Sequence, residues 1–146
     1  MIKGIIFDWG RTLYDNDKKE LMDGAIFVLK ELKNKKYKLC LVTRGVHQEK
    51  ENAIKKTNVV QYFEEIFFVH EKVENDFVKC LNAMNLKHDE VMVVGDKVRN
   101  EVKVGNVLGM TTVWFRNGKY KDEVPEHDLE KPKHTILNLR DVLKLI

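Results

Sequence analysis

Short apolar runs separated by amphipathic stretches dominate the pattern along this chain. Ile2 to Asp8, Tyr37 to Thr43, Glu65 to Val69, Glu90 to Gly95 and Thr111 to Phe115 each read as a buried strand. Between them, apolar residues recur at helical spacing. Ala25, Val28, Leu29 and Leu32 mark one helix face, behind Asp23 as its N-cap. Phe77, Cys80, Leu81 and Met84 mark a second, and Val98 to Leu108 a third, ended by Gly109. A more polar helix is expected around His47 to Thr57 and a short one from Leu139 to the end. Residues 14–22 read as a highly charged, mobile flap, and residues 120–134, with both prolines (Pro125 and Pro132), as an irregular loop.

Strands that alternate with helices predict an α/β fold: a parallel sheet with right-handed crossovers and a helical layer on each face. In such a sheet a ligand sits beyond the carboxyl ends of the strands. Here the strands end near Asp8, Thr43, His70, Asp96 and Arg116. A chain of 146 residues is expected to form one domain, residues 1–146.

Composition narrows the picture modestly. The chain is 43% hydrophobic and 34% charged, which excludes a disordered chain. A net charge of +3 from 26 basic and 23 acidic residues describes a mixed surface that mildly favours anionic ligands and lacks the basic clustering of a nucleic-acid binder. Cys40 and Cys80 lie in apolar segments and read as reduced core residues. Lys3 and Asp8 interrupt the first apolar stretch, so no signal peptide or membrane span is expected, and the cytoplasm is the expected compartment.

Taken singly, the polar groups at the strand ends are ambiguous. Asp8 could be an ordinary loop acid, Thr43 a β-branched strand residue, Lys72 one lysine among many, and Asp96 the cap of the next helix. Together they resemble the motifs of the haloacid dehalogenase (HAD) superfamily. Asp8 and Thr12, in Asp8-Trp9-Gly10-Arg11-Thr12, are similar to its D-x-D-x-T signature. Thr43 falls where the family has a Ser or Thr, Lys72 with Phe77 resembles the third motif, and Gly95-Asp96 with Glu101 resembles the metal motif. The resemblance covers roughly residues 1 to 116, since the segment before Phe115 is also similar to the family's fifth strand.

This resemblance implies a three-layer α/β/α sheet of about five strands in the order 5-4-1-2-3, and a Mg²⁺-dependent phosphatase acting on a phosphate monoester. Asp8 would be the nucleophile that forms an aspartyl-phosphate, with Thr43 and Lys72 binding the phosphoryl group. Asp8, the backbone carbonyl of Gly10, Asp96 and Glu101 would hold the metal, and Arg11 and Arg44 are further candidates for binding phosphate.

The departures are informative. Gly10 stands where the family's phosphatases carry the acid that protonates the leaving oxygen, help worth about two to four orders of magnitude in rate. His47 and His70 are the candidates to replace it, although both read more readily as surface histidines. Val73 and Asn75 replace the prolines of the third motif. About 35 residues separate Asp8 from Thr43 and about 29 separate Thr43 from Lys72, which leaves no room for a large cap domain. A capless member implies a phosphorylated small molecule or a phosphoprotein as substrate, or a homo-oligomer that covers the open site. Two alternatives stay open: an impaired HAD-fold domain that binds a phosphorylated ligand or protein partner, and a receiver-like phospho-acceptor domain.

Overall fold

A computed structural model describes residues 1–45 and 48–146. Strand β1 (Gly4–Asp8) is followed by a hairpin of β2 (Tyr14–Asp15) and β3 (Glu20–Leu21), then helix α1 (Ala25–Asn34). Next come β4 (Lys38–Arg44), α2 (Gln48–Lys56), β5 (Glu65–Val69), α3 (Glu74–Met84) and β6 (Val91–Gly95). A π-helical turn (Val98–Val102) runs into α4 (Lys103–Val107), and β7 (Thr111–Phe115), β8 (His134–Ile136) and a 3₁₀ segment (Leu139–Lys144) complete the chain.

The main sheet has six strands in the order β5-β4-β1-β6-β7-β8, and every pairing is parallel. Counted from β7 inward, this is the expected order 5-4-1-2-3 with one strand added at the edge. The added strand, β8, begins at His134, the last residue of the stretch expected to be irregular, and continues two residues beyond it. It is only three residues long and buries just Ile136, too little apolar patterning to be legible. The order also excludes the receiver-like alternative, whose flavodoxin-like sheet runs 2-1-3-4-5.

Alternation along the strands divides the core into two layers. Ile5, Phe7, Leu39, Leu41, Met92 and Val94 pack with Val28, Leu29 and Leu32 of α1. Ile6, Cys40, Val42 and Val93 pack on the opposite face with Phe77, Cys80 and Met84 of α3. Asp8 shares the parity of Ile6, so the last side chain of β1 leans toward the α3 face. Both cysteines are buried and free, as expected.

Three helix ends differ from expectation. Gly24, in a left-handed conformation with φ of 84°, caps α1 without a side-chain hydrogen bond. Asp23 points away from the helix and pairs with Arg140 at 2.9 Å. The segment from Val98 begins as a π-helical turn, yet it ends as expected at Gly109, whose φ of 75° suits glycine. The C-terminal segment forms as a 3₁₀ helix, started by the Asn138 side chain accepting from the Arg140 amide.

Between Asp8 and Thr43 lie only the small hairpin and α1, and between Thr43 and Lys72 only α2, a 3₁₀ turn and β5, so the described residues contain no cap. No helix among them is long and apolar enough to cross a membrane.

Candidate active site

The carboxyl ends of β1, β4 and β6 converge on one cavity of about 130 Å³. Among the residues lining it are Asp8, Gly10, Thr43, Lys72, Asp96 and Glu101. Its floor is charged and shielded from solvent. Asp8, Thr43, Asp96 and Glu101 are all buried. The Lys72 ammonium donates to both Asp8 and Glu101, with only 5% of its side chain exposed.

Local structure explains each placement. The carbonyl of Trp9 accepts from the amides of Thr12, Leu13 and Tyr14, closing a tight turn behind Asp8. That turn brings the Thr12 hydroxyl to 3.4 Å from an Asp8 oxygen. Lys72 lies in the loop before α3, where the Asp76 carboxylate accepts from the Val73 amide at 3.1 Å and fixes the helix entrance. Gly95 is required by close approach, since a Cβ there would come within 2.6 Å of the Glu101 side chain. The Trp114 indole donates to the Asp96 carbonyl at 3.0 Å and anchors the turn after β6.

Three carboxylates against one ammonium leave the floor short of positive charge. Burial opposes the charge on Lys72, but Asp8 and Glu101, by charge and hydrogen bond, hold its proton more tightly than in an ordinary lysine. Burial raises Glu101 despite Lys72. Asp96, which receives no lysine, is pushed up to about 9, first by burial and then by the charge and hydrogen bond of Asp8.

The donor set fits a hard divalent cation. Asp8, Asp96 and Glu101 each present an oxygen within 4.8 Å of the others. Glu101 Oε2 is buried without a hydrogen-bond partner, although buried acceptors are rarely left unpaired. An oxygen-only cluster with this charge deficit suits Mg²⁺.

Gly10 lies beside the floor, and its backbone does not occupy the left-handed region. A Cβ there would meet the Asn16 side chain at 3.2 Å, so the flap partly fills the space of the missing carboxyl. His70 is exposed and is not among the residues lining the cavity, which removes it as a replacement acid; His47 lies outside the described residues.

The walls carry cations. Arg11 and Arg44 line the cavity, as do Lys50, Lys97, Asn16, Asn100 and Tyr120, which sequence reasoning did not single out. Lys50 donates to the Arg44 carbonyl, and its pKa is lowered, chiefly by burial and also by the charges of Lys72 and Arg44, against the attraction of Asp8. Nothing in the sequence marks Lys50 off from the other charged residues of a polar helix. Lys97 and Asn100, within the Gly95-to-Glu101 motif, carried at least a positional signal.

A parallel α/β sheet with a carboxylate nucleophile candidate, a fixed ammonium and an acidic cation pocket at its carboxyl edge defines a class of hydrolase fold. The chain belongs to the haloacid dehalogenase-like hydrolase family, whose sequence model matches residues 1–115. It is 30% identical to a glyceraldehyde 3-phosphate phosphatase of Methanocaldococcus jannaschii, over 97% of this chain and 64% of that protein. It is 28% identical to the same-named protein of Methanopyrus kandleri, over 84% of this chain and 54% of that one. The chain thus spans between about half and two thirds of those relatives' lengths. An uncharacterized protein from Listeria monocytogenes shares the fold, with a TM-score of 0.78 at 19% identity over 99% of this chain and 96% of that one.

Proposed function

We propose that this chain is a Mg²⁺-dependent phosphatase that cleaves a phosphate monoester through an aspartyl-phosphate on Asp8. The observation that carries this reading is the buried Asp8–Lys72–Glu101 network with Asp96 beside it. Relatives named as phosphatases support it.

Each residue has a definable task. Asp8 attacks phosphorus, and the bond to the leaving oxygen breaks as the new P–O bond forms. Lys72, donating to Asp8, aims that carboxylate and offsets the repulsion between it and the incoming anion. The Thr43 hydroxyl donates to a phosphoryl oxygen, with Arg44 beside it. Water then cleaves the acyl phosphate, releasing inorganic phosphate and regenerating Asp8. Asp8, the Gly10 carbonyl, Asp96 and Glu101 would hold Mg²⁺, which when bound neutralises these acids and the phosphoryl oxygens. With glycine at position 10, the leaving oxygen takes its proton from solvent in the open cavity, and turnover is correspondingly slow.

A screen of phosphate esters with Mg²⁺, run on wild type and Asp8→Asn, tests this. Cleavage is expected in wild type and lost in the variant; cleavage that survives in Asp8→Asn contradicts it. Gly10 favours one other reading, a domain that binds a phosphorylated ligand without turning it over. Binding of BeF₃⁻ with Mg²⁺ in the absence of any turnover would select that reading.

A further inference from the structure

Lys72 and a bound divalent cation would balance the floor of the cavity, but nothing comparable balances its walls. Arg11, Arg44, Lys50 and Lys97 all line it, and among the described residues none of them pairs with a carboxylate. Elsewhere, exposed arginines do find acids, as in Arg99 with Glu126 and Arg140 with Asp23. Glu71 borders the rim beside Arg44 and Lys72, and Glu123 is engaged with the Val98 amide at 2.7 Å. A single phosphoryl group carries two negative charges at most, fewer than these walls present.

Two of these cations form a distinct cluster. The Lys97 ammonium lies 4.2 Å from the centre of the Tyr120 ring, and the Arg11 guanidinium lies 5.9 Å from it. Lys119, outside the cavity, is a third at 5.5 Å. Lys97 first, by hydrogen bond and then by charge, followed by the charges of Lys119 and Arg11, holds the Tyr120 phenol below its ordinary value against a smaller effect of burial. Arg11 is also held in an unfavourable backbone conformation, with φ of 60°. Its amide donates to the Tyr14 carbonyl at 2.7 Å, and its own carbonyl accepts from the Asn117 side chain at 2.9 Å. Two elements thus fix a strained arginine at the rim of the cavity, where such strain commonly accompanies function.

We propose that Arg11 and Lys97, set against Tyr120, form a second anion subsite, so that the substrate is a phosphate ester bearing a further negative charge on its leaving part. This rests on the phosphatase reading for the first site and adds a requirement to it. The leaving part is a carboxylate or a second phosphate, with the Tyr120 hydroxyl as an additional donor to it. Lys50, which lines the cavity beside Arg44 and donates to its carbonyl, serves the transferred phosphoryl group instead.

Calorimetric titration of the Asp8→Asn protein with Mg²⁺ separates the two sites without turnover. The probes are glycerol 3-phosphate, whose leaving part is uncharged, 3-phosphoglycerate, and fructose 1,6-bisphosphate, which places its second anion farther away. At least one charged ester should bind about tenfold tighter than glycerol 3-phosphate at low salt. That preference should fall to about twofold or less in Arg11→Gly, which suits the backbone conformation, and in Lys97→Ala, while Lys97→Arg retains it. Equal binding of all three esters, or a preference untouched by both variants, overturns the subsite and leaves the phosphatase reading standing. No binding of any ester overturns both.

Discussion

The floor and the walls of the cavity are built on opposite terms. On the floor, Asp8, Asp96 and Glu101 are buried on strand ends and a helical turn, and Lys72 is held between two of them. On the walls, Arg11 and Lys97 come from loops, Arg44 from the last residue of β4 and Lys50 from a polar helix, and they lack carboxylate partners among the described residues. The floor is rigid and short of positive charge, whereas the walls are accessible and hold it in excess. The floor is therefore suited to chemistry common to many phosphate esters, and the walls to choosing among them.

The largest effect is expected from breaking the floor. Lys72→Met leaves Asp8 and Glu101 buried without their shared cation, and turnover should fall about 100- to 1000-fold. Unfolding by urea should show a loss of about 3 kcal/mol or more. A loss confined to KM would place Lys72 among the wall residues instead.

Gly10→Asp sharpens the comparison from the other side, because it adds an acid where floor meets flap. The backbone there accepts a side chain, and the contact to be relieved is with the exposed tip of Asn16. The turnover number should rise about 100-fold, with a new dependence on pH. No gain in either Gly10→Asp or Gly10→Asp with Asn16→Ala would show that position 10 serves another chemistry.

The smallest change per step, spread over several pH units, concerns the floor without metal. Asp96, pushed up to about 9, keeps its proton when folded at pH values where the unfolded chain, near pH 4, has already released it. The folded state then holds more protons than the unfolded one across that window, so stability falls as pH rises through it. Thermal melts in EDTA should show this decline, about 1.4 kcal/mol per pH unit at most, and Asp96→Asn should flatten it. Added Mg²⁺ should restore most at the alkaline end. A stability that is level in EDTA would mean the three carboxylates do not share one field.

Legibility in the sequence follows the same division. β5 and β7 fall on the expected residues because their apolar runs are continuous and bounded. Asp8, Thr43, Lys72, Asp96 and Glu101 could be named because the floor is set by strand ends and by spacing within motifs. The walls depend on where loops fold back, which periodicity does not encode. Lys50 and Tyr120 enter the cavity from segments whose charge pattern matches any solvated surface. The N-cap of α1 departs from the expected Asp23 for a related reason, because a left-handed Gly24 at the hairpin exit turns Asp23 toward Arg140.

The central claim is that Asp8 carries the phosphoryl group, and it is tested most directly by trapping that state. Protein quenched during turnover of a phosphate ester with Mg²⁺ and then reduced with borohydride should contain homoserine at position 8, the product of reducing an aspartyl-phosphate, and none in Asp8→Asn. Steady turnover with an unmodified Asp8, or modification at another carboxylate, would contradict it.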